Sequence, residues 1–251
     1  MVSTVYLLKR ISIAIASLFI IASLIFFMTS ALPGSAANIA LGQDATPERI
    51  ADFEEEMGLD RPIMERYGDY VVQTFTLEWG ESLLSGRSVV GMIVPAFFRT
   101  LELAIVAMAV TIVTAIPFGL MTAVRRDSLF DSVVSKLGYI GVSMPEFVSG
   151  TLLVLLFTRG PLGFFPSGGY VEFGSDPIGW LMHLILPAVT LNILIFAYVM
   201  RQTRSSMIET LGEEYVRFLK AKGLRSRSIL FGHALKNSFI PVITVIGLQF
   251  G

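Results

Sequence analysis

The chain has 251 residues, of which 53% are hydrophobic and only 16% charged, with a mean hydropathy of +0.69 and a net charge of −1. An average soluble domain is about 25% charged, so the composition excludes an ordinary soluble protein and points to an integral membrane protein. No cysteine and two histidines exclude a disulfide framework, a thiolate metal site and a histidine-rich one, while carboxylate sites stay open.

Residues 1–12 set Lys9 and Arg10 beside Val5, Tyr6, Leu7 and Leu8, the pattern of a short interfacial helix feeding a first span. Residues 11–32 are an apolar run of roughly the 20 residues that cross a bilayer. The run exceeds a signal-peptide core of about 7–15 residues, so a retained anchor is expected, although Ser35, Ala36 and Ala37 could pass for a cleavage site.

Residues 33–98 form a polar, strongly acidic segment, with acids from Asp44 to Glu81 outnumbering Arg49, Arg61, Arg66 and Arg87. Within it, Thr46 as N-cap, Pro47 at the first helical position, Ile50, Phe53 and Met57 on one face and Gly58 as the stop predict a short helix. Glu54, Glu55 and Glu56 lack the alternating ligand spacing of a calcium loop and read as a solvated face.

Further apolar runs predict spans at about 100–124, 137–158 and 180–200, and a shorter run begins at about 238. Glu102 lies one turn from Arg99, and an interfacial pair of the two is the simplest reading of that carboxylate. Pro117 predicts a kink. In the third span SMPEFVSG brings Ser143, Pro145 and Glu146 to membrane depth, where a break is tolerated if helices pack or line a water-filled cavity. Glu146 is either a pathway residue or a buried, hydrogen-bonded carboxylate. Asn192, midway along the fourth span, is either interhelical glue or a pathway lining, and Trp180 reads as an interfacial anchor. Gly247 and Gly251 have GxxxG spacing, a weak sign of close helix packing.

Residues 210–241 are a charged island between apolar runs. Thr210 and Glu213 have capping-box spacing, and Gly223 followed by Leu224 is a helix stop, so a helix over 211–222 is expected. Leu211, Tyr215, Phe218 and Leu219 fall on its apolar face, and Glu213 and Arg217 form an i,i+4 pair. A second short helix is expected over about 228–237, ending before Pro241. Periodicity and charge alone leave two readings open, a protruding docking hairpin and a solvated loop on the lipid surface.

Orientation follows from charge. Arg201, Arg204, Arg217, Lys220, Lys222, Arg225, Arg227 and Lys236 stand against only Glu209, Glu213 and Glu214. Positive loops stay in the cytoplasm, which predicts the N-terminus, the Arg125–Arg126 loop and the hinge inside and the acidic segment outside. The glycine-rich stretch GPLGFFPSGGY lacks the Gly-Lys-Ser/Thr ending of a phosphate loop, and no such motif occurs elsewhere in the chain. Glu102, Glu146 and His183 are scattered among different spans, which argues against a membrane-embedded enzyme.

The hinge resembles the coupling loop of ABC importer permeases of the dipeptide, oligopeptide and nickel permease family, in which Glu-x-Tyr-x-Arg-x-Ala-x-Ala-Lys-Gly-Leu precedes His-x-Leu-x-Asn. Glu213, Tyr215, Arg217, Ala221, Lys222, Gly223, Leu224, His233, Leu235 and Asn237 fill those places, with Leu219 where a small residue is usual. ATPE, GLDRP, SGR, TLELA and SMPEFVSG match the same family, while Pro33-Gly34-Ser35-Ala36 departs from its PGDP.

The resemblance implies an all-α polytopic bundle with residues 1–32 as the first span, 33–98 as an external loop, 99–251 as the permease domain and 210–241 as the coupling hinge. Family members continue through a further external loop and a sixth span, so the chain is expected to be C-terminally truncated. The implied function is transport of peptides, with nickel or another small solute as the alternative and a passive channel or anchor as the remaining rival. The implied partners are a second permease subunit, identical or different, two cytosolic ATPase subunits that use ATP and Mg²⁺, an external solute-binding protein and membrane lipid. No cofactor bound by the chain, no metal and no nucleic acid are expected.

Overall fold

The computed structural model describes residues 4–31, 36–42, 46–82, 84–159 and 163–250, so the possible cleavage site at residue 35, the PGSA departure and Gly251 lie largely outside the described residues. Among the described residues there is no strand, only a single bridge between Glu81 and Ser88. The fold is all-α. It divides into two compact units, Met1–Phe97 and Phe98–Gly251.

In the first unit α1 runs unbroken over Thr4–Ala31, so the expected separate interfacial helix is the first turns of the span itself. At 28 residues it is roughly 42 Å long, enough to cross a bilayer. After α2 (Ala36–Leu41), α3 (Pro47–Glu56) forms where the caps predict: Thr46 Oγ1 accepts from the Arg49 N–H, Pro47 opens the helix, and Gly58 takes φ +62 just past its end. Met57, however, is exposed and does not share a buried face with Ile50 and Phe53.

The acidic segment also holds α4 (Ile63–Thr76), a helix not read from the sequence. Its apolar side faces α1: the Tyr67 ring lies 5.4 and 5.0 Å from Phe26 and Phe27, Tyr70 lies 5.1 Å from Phe26, and the Tyr67 and Ser23 hydroxyls are 2.7 Å apart.

The later helices, the first of which begins before Phe98 while the rest lie in the second unit, are longer than their apolar cores. α5 covers Val89–Val124 and stays helical through Pro117. The third span, expected over 137–158, is two helices, α6 (Leu129–Ser143) and α7 (Glu146–Val154, continued by a π-turn over Leu155–Arg159), which meet at 103°. Pro145 causes the bend. A proline has no N–H to give the helix and pushes the residue before it out of helical geometry, and Met144 sits at ψ 128.

α8 (Pro177–Gly212) begins at Asp176, whose carboxylate accepts from the Ile178 and Gly179 N–H groups, and runs 36 residues. It therefore absorbs Thr210 and Leu211, and the expected capping box does not form. Glu213 instead ends α8, its N–H bonded to the Thr210 carbonyl, and the next helix, α9 (Glu214–Ala221), starts after it. Buried Thr203, Ser206 and Met207 extend the packed face of α8 beyond the apolar run, and this tertiary contact overrides the local stop. The last helix, α10, covers Ser226–Phe250, π-helical over Ile229–Ala234 and continuous through Pro241. The expected short helix over 228–237 and the shorter run from 238 are thus one helix of 25 residues.

α8 is the rod on which this unit is built. Ala115, Ile116, Val134, Val199, Met200 and Val242 form one core from α5, α6, α8 and α10. Backbones approach closely where glycines face it: a Cβ on Gly119 would lie 2.6 Å from Thr203 Cβ and 2.7 Å from the Met200 carbonyl. Such overpacking costs about 1–3 kcal/mol, so Gly119→Ala is expected to lower the thermal unfolding midpoint in detergent. Gly212→Ala, whose Cβ meets nothing within 4 Å, is expected to leave it close to wild type.

Candidate functional site

The hinge residues converge at one end of the α8 rod. Next to the α8–α9 junction Leu120, Ala123, Met207 and Ala234 form an apolar cluster from α5, α8 and α10, against which Leu211, Leu230 and Leu235 pack. The Ser238 hydroxyl lies 2.8 Å from Met207 Sδ and donates to the Leu235 carbonyl at 3.0 Å. Val216 is the side chain of α9 that is fully buried. The Tyr215 hydroxyl accepts from Asn237 Nδ2 at 2.9 Å, tying α9 to α10.

The end of α9 follows its sequence signal. Gly223 adopts φ +78, its N–H bonds to the Lys220 carbonyl and the Leu224 N–H to the Leu219 carbonyl, a Schellman stop that a residue with a Cβ adopts only under strain.

The outward face differs from expectation. Phe218, assigned to the packed side, is 58% exposed, with Lys222 Nζ 4.5 Å from its ring centroid. Helix phase explains the exchange: with α9 beginning at Glu214 and Val216 turned inward, Phe218 falls two residues around the helix and faces out. Glu213 precedes the helix, and among the described residues it makes no ion pair with Arg217. Glu213, Arg217, Ala221, Lys222, Gly223, His233 and Asn237 are all exposed, and Tyr215 and Leu235 are half-buried. The result is an exposed aromatic and cationic knob on a firmly seated short helix.

The membrane candidates separate into two groups. Ser143, Pro145 and Glu146 are exposed at the α6–α7 bend, and the Ser143 hydroxyl donates to the Tyr139 carbonyl at 2.9 Å. Glu146 is therefore not a carboxylate buried within this chain. Asn192 Oδ1 accepts from the Thr111 hydroxyl at 2.8 Å and joins α8 to α5, the contact that the glue reading calls for. The expected Arg99–Glu102 pair is replaced by a larger arrangement: Glu102 accepts from Tyr170 Oη at 3.0 Å and Trp180 Nε1 at 2.9 Å, and Arg99 lies over the Tyr170 ring at 4.6 Å.

Sequence reasoning missed one buried pair. Asp131, with a side chain 6% exposed, receives Arg204 Nε and Nη2 at 2.7 Å each. The partners are 73 residues apart, and Arg204 had counted only as a marker of orientation. The Ser128-x-x-Asp131 cap spacing was the sole local sign that α6 starts before the apolar run.

Among the described residues no group of three or more His, Cys, Asp or Glu side chains could hold a metal ion.

Residues 115–251 match the family described as "Binding-protein-dependent transport system inner membrane component", and residues 3–80 match the N-terminal domain described for the same kind of transport-system membrane component. A Brucella abortus protein whose name assigns it to a peptide transport system as a permease is 39% identical over 247 residues, covering 98% of this chain and 78% of its own length. The dipeptide transport system permease protein DppB of Escherichia coli K12 is 35% identical over 269 residues, covering 98% of this chain and 79% of its own.

The Thr111–Asn192 bond yields a test of the glue assignment. Thr111→Val leaves the Asn192 oxygen without its donor and is expected to destabilise the protein in detergent by about 1 kcal/mol. Replacing both partners, as Thr111→Val with Asn192→Leu, is expected to recover most of that loss in the same thermal melt.

Proposed function

The chain belongs to the family of binding-protein-dependent transport system inner membrane components, and on that premise we propose that it is the permease subunit of an ATP-driven peptide importer, with α9 as the helix that couples it to ATP hydrolysis. It is a multi-pass inner-membrane protein of the peptide-type ABC permeases and one component of a transport system with other subunits. Peptide as the cargo rests on the names of both relatives.

The observation that carries the coupling role is the geometry of α9. Its inner side is pinned by Val216 and by the Tyr215–Asn237 bond, while Phe218, Arg217 and Lys222 face outward. An exposed aromatic beside cationic groups is the composition of a binding hot spot. Docked in a cleft of a cytosolic ATPase subunit, it gives the two ATPase conformations different contacts, which a coupled change of state requires. Because α9 follows α8 after a single residue, a push on it reaches the long rod directly.

In this reading the end carrying Arg125, Arg126 and α9 faces the cytoplasm, where positive loops remain, and residues 33–98 face outward. A second permease subunit completes the pathway, two ATPase subunits use ATP and Mg²⁺, and an external solute-binding protein delivers the peptide. In the same reading Ser143, Pro145 and Glu146 line the pathway, which their exposure at the bend supports, and Asn192 acts within the bundle, which its bond to Thr111 supports.

Two measurements test the docking. In a pull-down of the transporter's ATPase subunits, deletion of Glu214–Ala221 is expected to abolish recovery, and Phe218→Ala or Arg217→Glu to weaken it about tenfold, the scale of one hot-spot side chain. Recovery as from wild type by the deletion would refute the assignment. Gly223→Pro cannot adopt φ +78 and loses the N–H bonded to Lys220. It is expected to insert normally yet abolish peptide uptake in proteoliposomes, and wild-type uptake would count decisively against a coupling role for the turn.

A further inference from the structure

The broken span packs along α8 through Val134, which shares a buried core with Val199 and Met200, and through a line of glycines. A Cβ on Gly138 would lie 3.2 Å from Met200 Cε and 3.6 Å from Ala197 Cβ, one on Gly141 would lie 3.1 Å from the Ile193 carbonyl, and one on Gly150 would lie 3.2 Å from Thr190 Cγ2. Along this seam glycines bring the backbones close, but these apolar contacts are non-directional and do not by themselves select a single register of one helix on the other.

At the α9 end of that seam stands one strongly directional contact. Asp131 accepts from both arms of the Arg204 guanidinium at 2.7 Å, from the Asp127 N–H at 3.1 Å and from the Ser135 hydroxyl at 3.3 Å. Among the described residues, Asp131–Arg204 is the side-chain hydrogen bond that joins α6 to α8. The other polar contact across the seam is Arg201 over the Tyr139 ring at 5.4 Å, which tolerates more displacement. A bidentate fork fixes both distance and angle, and separating the pair would leave Asp131 as a buried, uncompensated charge. Arg204 lies about 12 Å along the helix axis from Gly212, where α8 ends next to α9.

We propose that Asp131 and Arg204 are positioning residues for transport: their ion pair locks the register of α6 on α8, so that displacement of α9 reaches the Pro145 bend instead of being lost as sliding along the seam. The proposal rests on the coupling role of α9 given above. It assigns the pair an effect on how much transport each hydrolysed ATP drives. Neither residue needs to touch peptide or nucleotide.

The test uses the complete transporter in proteoliposomes with its binding protein and a dipeptide, measuring peptide uptake and ATP hydrolysis together. Asp131→Asn is expected to keep wild-type recovery of the ATPase subunits while uptake per ATP falls about tenfold, the scale of a typical coupling free energy. Arg204→Lys, which keeps the charge and loses the fork, is expected to fall between wild type and Asp131→Asn. An unchanged uptake-to-hydrolysis ratio in both variants overturns the proposal. Should Asp131→Asn fail to assemble, Arg204→Lys alone decides it by the same ratio. A wild-type transporter that hydrolyses no ATP in response to loaded binding protein would instead refute the importer reading, before either variant is compared.

Discussion

A helix of 36 residues is roughly 54 Å long, and a bilayer's hydrocarbon core is about 30 Å thick. α8 therefore extends well beyond the lipid at one end or both, and most of the second unit's organisation follows from that excess. The packing that sustains the extra turns is intimate: Gly119 of α5 admits the Met200 carbonyl and Thr203 of α8 at distances no other residue type allows, and Met207 is fully buried near its end. Because α8 stays helical to Gly212, α9 is attached by one residue to a rigid element instead of hanging from a loop.

Polar groups in the bundle are spent on joining helices. Thr111 and Asn192 tie α5 to α8, Asp131 and Arg204 tie α6 to α8, and Glu102 takes hydrogen bonds from Tyr170 and Trp180. Where water is scarce, an unpaired polar group is costly and a paired one is specific. The exposed polar groups at the Pro145 bend contrast with this, since among the described residues no side-chain hydrogen bond or ion pair holds the Glu146 carboxylate, which is exposed.

Much was legible from the sequence because the signals were local. Apolar runs announce spans, Thr46-Pro47 and Gly223 mark helix ends through backbone geometry alone, and the fixed spacing from Glu213 to Asn237 was enough to identify the family. The expectations that failed were local ones. The Thr210–Glu213 box, the stop before Pro241, the inward Phe218 and the Arg99–Glu102 pair were all inferred from near neighbours; packing along α8 overrode the first, Tyr170 and Trp180 displaced the last, and the changed helix start re-phased Phe218. α4 was missed for a related reason: its charged face dominates its composition, and the aromatic side that seats Tyr67 and Tyr70 against Phe26 and Phe27 has meaning only beside α1.

The sequence by itself determined an all-α membrane protein, its family and the turn at Gly223, since hydrophobicity, motif spacing and left-handed glycine geometry are properties of short stretches. Tertiary structure alone decided where α8 ends, which face of α9 is free and which acid meets which base. Those depend on packing between segments such as Asp131 and Arg204, 73 residues apart, and no local propensity encodes an angle between helices or the depth at which two side chains meet.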